Sequence, residues 1–243
     1  MIKKMRQLKK ILAALPHARL RRGLRFGVGA AIEHTDVIVA LPILTLVDLG
    51  ANVGQFSLLV RQRYPLARIL AFEPLAKPAA VYRQVFADDS LVTLYQCAVG
   101  ASAEMRDMNV SRHSDSSSLL PITQTQVAFA PGTEAVGREC VCIAPLSDML
   151  SIQDIAAPAL LKIDVQGYEL IALEGCERLL SAFGHVYVEL SFIPFYEGQA
   201  LAHEVIEWLA TRGFKLAGIH NPVYDKTKLI VQADFLFARI GRG

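Results

Sequence analysis

The sequence predicts an α/β fold built on a mostly parallel sheet, and three observations predict it. Short unbroken apolar runs at 45–49, 68–72, 91–97, 160–164 and 185–189 have the length and composition of strands buried on both faces. Segments of about ten residues with helical character follow most of them. That alternation marks βαβ units, whose crossovers lay helices over both faces of a parallel sheet.

The elements follow in order. The run Thr-Leu-Val-Asp-Leu at 45–49 reads as the first strand, 50–54 as a turn and 55–64 as a helix. A second strand at 68–72 leads into a helix at 78–86 and a third strand at 91–97. The segment from about 101 to 143 breaks the rhythm. It holds the polar cluster Ser-Arg-His-Ser-Asp-Ser-Ser-Ser at 111–118 and the turn-forming pair Pro131-Gly132. Short antiparallel strands and loops inserted into the α/β body are expected there, and insertions of this length often form lids or binding loops. The rhythm resumes with a strand at 160–164, a helix at 168–180, a strand at 185–189 and a helix at 203–212. Runs at 214–219 and 234–239 close the sheet as an antiparallel pair.

Composition bounds the function. Of 243 residues, 53% are apolar and 20% charged, which excludes a disordered chain. The formal charge of +2 conceals a division. Nine bases and no acid precede Glu33; the other sixteen bases face all twenty-three acids, leaving that body at −7. Met5, Leu8, Leu12 and Leu15 recur at helical spacing among lysines, so a basic amphipathic helix is expected up to Pro16. The expected division is a basic helical N-terminal arm at 1–40 and a catalytic domain at 41–243. Such an arm suits packing on the domain or peripheral contact with an anionic membrane. No aromatic or glycine-rich recognition pattern accompanies the charge, so a nucleic-acid partner is not expected. Cys97, Cys140, Cys142 and Cys176 show no disulfide or zinc spacing and read as free thiols. The apolar stretch 37–47 is too short to cross a bilayer and no secretory signal is evident, so a cytoplasmic location is expected.

Three motifs carry chemistry. Asp-Leu-Gly-Ala-Asn-Val-Gly at 48–54 joins a buried strand to a helix, where an open parallel sheet forms its ligand crevice. Gly50 and Gly54 allow close approach of a ligand. Asn52 stands where a dinucleotide fingerprint has its middle glycine, the residue that serves a pyrophosphate. Phe-Glu-Pro at 72–74 places Glu73 at the end of the second strand, where a carboxylate binds ribose hydroxyls, and Pro74 fixes the turn. Lys-Ile-Asp-Val-Gln-Gly-Tyr-Glu at 162–169 places Asp164 at a strand end facing the same crevice, with Glu169 in the first turn of the next helix. Glu189 ends the following strand on the crevice side.

These motifs, in this order, resemble the FkbM family of methyltransferases. The resemblance rests on Val-Asp-Leu-Gly-Ala-Asn-Val-Gly-Gln-Phe-Ser (47–57), Phe-Glu-Pro (72–74), Ala-Val-Gly (98–100) and Asp-Ser-Ser-Ser-Leu (115–119). It continues through Leu-Ser-Asp (146–148), Leu-Lys-Ile-Asp-Val-Gln-Gly-Tyr-Glu (161–169), Leu-Glu-Gly (173–175) and Val-Glu (188–189). It implies a Rossmann-like class I methyltransferase fold, S-adenosylmethionine as cofactor, and O-methylation of a hydroxyl on a sugar, glycan or secondary metabolite. The cofactor would lie against Asp48, Gly50, Asn52, Gly54, Glu73, Pro74 and Ala98. Cys97 departs from the family, which often has Asn there.

Transfer to a hydroxyl calls for a general base. Asp164, Glu189 and His113 are the candidates, and Ser116, Ser117 and Ser118 are candidate donors to a polar acceptor. His185 and His220 read as structural. No metal site is expected, since ribose binding and base chemistry already account for the strand-end acids. Two other readings stand beside this one: a nicotinamide-dependent oxidoreductase on a similar sheet, and a non-catalytic, membrane-associated binding module that retains the pocket.

Overall fold

The computed structural model describes residues 17–241; the amphipathic helix expected at 1–16 lies outside the described residues. Five strands run parallel in the main sheet: β1 (Thr45–Leu49), β2 (Arg68–Phe72), β3 (Val92–Tyr95), β7 (Ala159–Ile163) and β8 (His185–Ser191). β10 (Ile230–Arg239) returns antiparallel to β8, and β9 (Phe214–Tyr224) pairs antiparallel with β10. The spatial order is β3-β2-β1-β7-β8-β10-β9. The chain winds outward from β1 on one side and from β7 on the other, so the sheet reverses between β1 and β7. A ligand crevice opens at such a switch point, beyond the carboxyl ends of the strands. The sequence and the structure agree on this Rossmann-like α/β fold.

The strands are continuous apolar runs because both faces are covered. In β1, Val47 and Leu49 join one buried cluster with Leu161, Ile163, Leu173 and Val188, while Leu46 joins the other with Ile69, Phe56 and Leu160. The first cluster lies under α7 (Glu169–Cys176) and α8 (Ala202–Ala210), and the second under α3 (Gln55–Arg63). α4 (Ala76–Val85) is the crossover from β2 to β3 and buries Tyr82 and Val85 in the second cluster, and the short α6 (Leu146–Met149) buries Leu146 in the first.

The chain before β1 is part of this core. α1 (Ala18–Arg25), a 3-10 turn (Ile32–His34) and α2 (Thr35–Ala40) bury Leu20, Val28, Val37 and Ile38 against Phe56 and Leu58. The boundary expected at residue 40 therefore runs through a continuous hydrophobic cluster. The bases of α1 face outward, where Arg22 pairs with Asp88 and caps the Gln84 carbonyl.

The insertion forms its own small sheet. β5 (Glu104–Ser111) and β6 (Ala135–Ala144) pair antiparallel, and β4 (Ala98–Val99) runs parallel to β6. β5 and β6 are longer than the short strands expected, and α5 (Gln124–Phe129) lies between them. The four cysteines are free. Among the described residues, no helix is long and apolar enough to cross a membrane.

Leu173 is fully buried at the centre of the first cluster. Replacing it with Ala is expected to lower stability by about 2–5 kcal/mol, from lost burial and a residual cavity. Urea unfolding followed by circular dichroism measures this.

Candidate active site

The crevice at the switch point is a cleft of about 350 Å³. Its floor comes from the loops after β1, β2, β7 and β8, one wall from the segment before β1, and its roof from the insertion. The first loop is shaped by backbone hydrogen bonds: Gly50 and Ala51 N–H donate to the Phe72 carbonyl at 3.0 and 2.9 Å, and Asp164 N–H donates to Leu49 at 3.1 Å. Gly50 has φ +75°, and a Cβ there would lie 1.9 Å from the Asp164 carbonyl oxygen, so only glycine lets the two loops meet. Asn52 takes φ 47°, a conformation its short polar side chain tolerates.

Glu73 is the most constrained acid of the cleft. It is 5% exposed, accepts Asn52 N–H on Oε2 and Leu75 N–H on Oε1, both at 2.9 Å, and thereby ties the β1 and β2 loops together. Burial pushes its carboxyl up to about 7, although the two backbone hydrogen bonds favour the charged form. Asn52 Oδ1 is buried at the cleft without a hydrogen-bond partner.

Beneath the loop lies a buried charge centre. Lys162 Nζ stands 3.4 Å from Asp48 Oδ1 and 3.6 Å from Asp164 Oδ2, and donates to the Gly50 carbonyl at 3.4 Å. Asp48 and Lys162 are register partners on β1 and β7, so their side chains share a face. Asp48 also accepts Ser57 Oγ–H at 2.7 Å, and Ser57 accepts from the Tyr82 hydroxyl at 2.9 Å. Burial alone would depress the Lys162 ammonium; Asp164 and Asp48 outweigh it and hold its pKa above the ordinary value.

Glu189 lies across the floor. Gln166 Nε2 donates to Asp164 Oδ1 at 2.7 Å and to Glu189 Oε2 at 3.1 Å, and Gln232 Nε2 donates to the same Glu189 oxygen at 2.9 Å. Burial first, and then the charge of Asp164, raise the Glu189 carboxyl well above its ordinary range. Glu169 is buried below, accepting Gly167 N–H at 2.9 Å, and burial pushes it up to about 7.

The structure distributes the expected site residues unevenly. Gly50, Asn52, Glu73, Pro74, Ala98, Asp164, Glu189 and Ser117 line the cleft. Asp48 lies fully buried beneath it, and Gly54 packs on Tyr82 and Phe86. Ser116 and Ser118 lie outside the lining: Ser118 Oγ–H donates to the Gln166 carbonyl, and the Ser116 backbone carbonyl lies 3.3 Å from the Tyr196 hydroxyl. His113 is exposed beside Gly132, outside the cleft lining. His185 is half-buried at the start of β8, at the opposite end of the strand from Glu189. His34, Lys162 and Gln166 line the cleft without having been assigned to it from sequence. A lysine inside the apolar run Leu-Leu-Lys-Ile was a usable signal for the second; nothing local marked His34. Among the described residues, no group of three or more His, Cys, Asp or Glu is arranged to hold a metal ion.

The cleft fits adenosylmethionine. Glu73 would accept its ribose hydroxyls, Leu75, Ala98 and Phe72 would offer apolar walls to its adenine ring, and the acid-rich surface would face its positive charge. Asn52 Oδ1 is an acceptor in want of a donor. Lys162, the lysine of the lining, is already held between two carboxylates.

The sheet and its crevice are those of the class I, Rossmann-like methyltransferase fold. A solved structure from Klebsiella pneumoniae assigned to the O-methyltransferases superposes with a TM-score of 0.51 at 12% identity, over 92% of this chain and 88% of its own. The Methyltransferase FkbM domain matches residues 48–216, and the chain belongs to that family, whose cofactor is S-adenosylmethionine. The chain is 30% identical over 156 residues to Methyltransferase sdnD of Sordaria araneosa, covering 55% of this chain and 60% of the fungal one. It thus spans less than two thirds of that relative's length. It is 27% identical over 206 residues to the 31-O-demethyl-FK506 methyltransferase FkbM of Streptomyces tacrolimicus, covering 75% of this chain and 76% of that protein.

Two outcomes follow. Removing the Lys162 ammonium with Lys162→Met leaves Asp48 buried without a counter-ion, and a loss of about 3–5 kcal/mol in urea unfolding is expected. Glu73 and Glu169 rise in the fold from 4.5 to about 7, so each stabilises the fold most below pH 4.5, and that contribution is lost as pH rises through about 7. The urea midpoint is expected to fall between pH 5 and 7.5, and Glu73→Gln to flatten part of that slope.

Proposed function

We propose that this chain transfers the methyl group of S-adenosylmethionine to a hydroxyl oxygen of a small, neutral, hydroxyl-rich acceptor, a sugar, glycan or secondary metabolite. The observation that carries the reading is Glu73, buried at the end of β2 with both oxygens oriented by backbone N–H groups and turned to the crevice. When bound, the sulfonium supplies an electrophilic methyl group that leaves as the new O–CH3 bond forms and S-adenosylhomocysteine remains.

The chain's own residues bind and orient. Glu73 accepts the ribose hydroxyls, and each charge-assisted hydrogen bond contributes about 1.5–3 kcal/mol. Asp164 and Glu189 give the floor an acidic surface, and Gln166 fixes their spacing. Asp115 and Glu33 at the rim disfavour an anionic acceptor. Ser114 and Ser117 of the roof offer hydroxyls to a polar acceptor, while Met108 and Leu119 cover the opening and limit water. The name of the Streptomyces relative, which specifies an oxygen, supports hydroxyl as the acceptor group. The acidic floor and the absence of a middle glycine in the loop at 50–54 weigh against a nicotinamide cofactor, whose pyrophosphate needs both backbone room and positive charge.

Calorimetric titration with S-adenosylmethionine, S-adenosylhomocysteine and NAD tests the assignment, with Glu73→Ala alongside. Binding of the first two, weakened about 10- to 100-fold in the variant, is the expected result. A protein that binds NAD and neither sulfur nucleoside overturns it. Screening hydroxylated acceptors with methyl-labelled cofactor then identifies the substrate class.

A further inference from the structure

We propose that His34, backed by Tyr187 and Asp234, is the group that takes the proton from the acceptor hydroxyl. This inference rests on the methyl-transfer reading and names the base that the reading requires. His34 ends the 3-10 turn Ile32–His34 and lines the same cleft as Glu73 and Asp164. Its side chain is 19% exposed. One edge of the ring is turned inward: Nδ1 lies 2.9 Å from the Tyr187 hydroxyl and 3.4 Å from Asp234 Oδ2. Asp234 accepts from Asn221 Nδ2 at 2.8 Å and is the acceptor for the Tyr187 hydroxyl proton. Asn221 Nδ2 also stands 3.2 Å from Nδ1, but its two protons go to Asp234 and to the Tyr187 oxygen. That leaves the second Tyr187 lone pair for an Nδ1–H and leaves Nε2, with no partner among the described residues, as the nitrogen available to the cleft. Phe56 and Tyr187 meet the imidazole edge-on at centroid distances of 5.4 and 5.6 Å and fix its plane.

The other candidates are otherwise engaged. Glu189 Oε2 is occupied by Gln166 and Gln232, and burial raises its carboxyl well above its ordinary range. Asp164 is paired with Lys162 and bonded to Gln166. An imidazole whose Nδ1–H is held by a second group presents an unprotonated Nε2 at neutral pH, the form a base requires. As the acceptor oxygen is methylated, its O–H bond breaks and an N–H bond forms at Nε2. The imidazolium is offset by Asp234 and loses the proton to solvent at the exposed edge. The charged groups facing the ring are Asp234, Glu33 and Asp164, which favour imidazolium, and Lys162, which opposes it; burial outweighs them and lowers the His34 pKa.

The test uses the full chain labelled with 15N-histidine, with His34→Gln to assign the resonance. The expected result is an Nδ1–H tautomer at pH 7.5 and a pKa below 6.5 that falls further in Asp234→Asn, where the favouring charge is gone. Diethyl pyrocarbonate is expected to modify His34 in peptide maps, more slowly with S-adenosylhomocysteine bound. An Nε2–H tautomer, a pKa indifferent to Asp234→Asn, or a His34 that stays unmodified while exposed His113 reacts would each overturn the proposal. S-adenosylhomocysteine is expected to bind His34→Gln as it binds the native chain; loss of binding only in the variant makes His34 a cofactor contact and also overturns it. Failure to bind the native chain sinks the methyl-transfer reading instead. With an acceptor from the screen, His34→Gln is expected to lower kcat about 10²- to 10⁴-fold at unchanged KM for S-adenosylmethionine.

Discussion

The cleft depends on one buried ammonium. Lys162, on β7, ties two segments that the chain order separates: its own strand end at Asp164, and the end of β1 through Asp48 and the Gly50 carbonyl. A lysine in a strand interior is costly unless paired, and here the pairing residues sit at the switch point of the sheet. The same centre holds Ser57 and, through it, Tyr82, so the helix after the first loop and the helix after β2 take their positions from it. The acids that face the ligand can then be left partly unpaired, because the floor beneath them is already electrostatically fixed.

The fold was largely legible in the sequence because a parallel sheet writes itself as short apolar runs. The strands at 45–49 and 68–72 coincide with their sequence limits, since Gly50 and Glu73 end the runs abruptly. The helix expected at 168–180 instead ends at Cys176 and tightens into a 3-10 turn, which periodicity alone does not distinguish. The hairpin strands β9 and β10 extend well beyond their apolar cores. The outer residues of β9, 220–224, are polar or exposed and are kept extended by pairing with β10, whereas Val231 and Ala233 extend β10 as buried residues beside β8.

The site was legible where function coincides with strand ends and opaque where it depends on long-range packing. Glu73, Asp164 and Glu189 announced themselves as acids closing apolar runs. His34 could not, because its partners Tyr187, Asn221 and Asp234 lie more than 150 residues away in sequence and meet it only when β8, β9 and β10 assemble. The serine cluster misled in the opposite direction. Its composition suggests a polar binding loop, yet Ser118 and the Ser116 carbonyl anchor the insertion to Gln166 and Tyr196, and Ser117 alone of the three expected serines reaches the lining.

The family match begins at residue 48, whereas one wall of the cleft is built by Ala31, Glu33 and His34. The matched region therefore supplies the floor and roof of the cavity, and this one wall is drawn from residues ahead of it. Such a partition lets that wall be reshaped by rewriting a few dozen residues ahead of β1 while the floor stays unchanged. It also gives a practical boundary for chimeras. A junction placed inside the loop between α2 and β1 would exchange the wall as a unit, whereas trimming the chain to the matched region would leave the cleft open on one side.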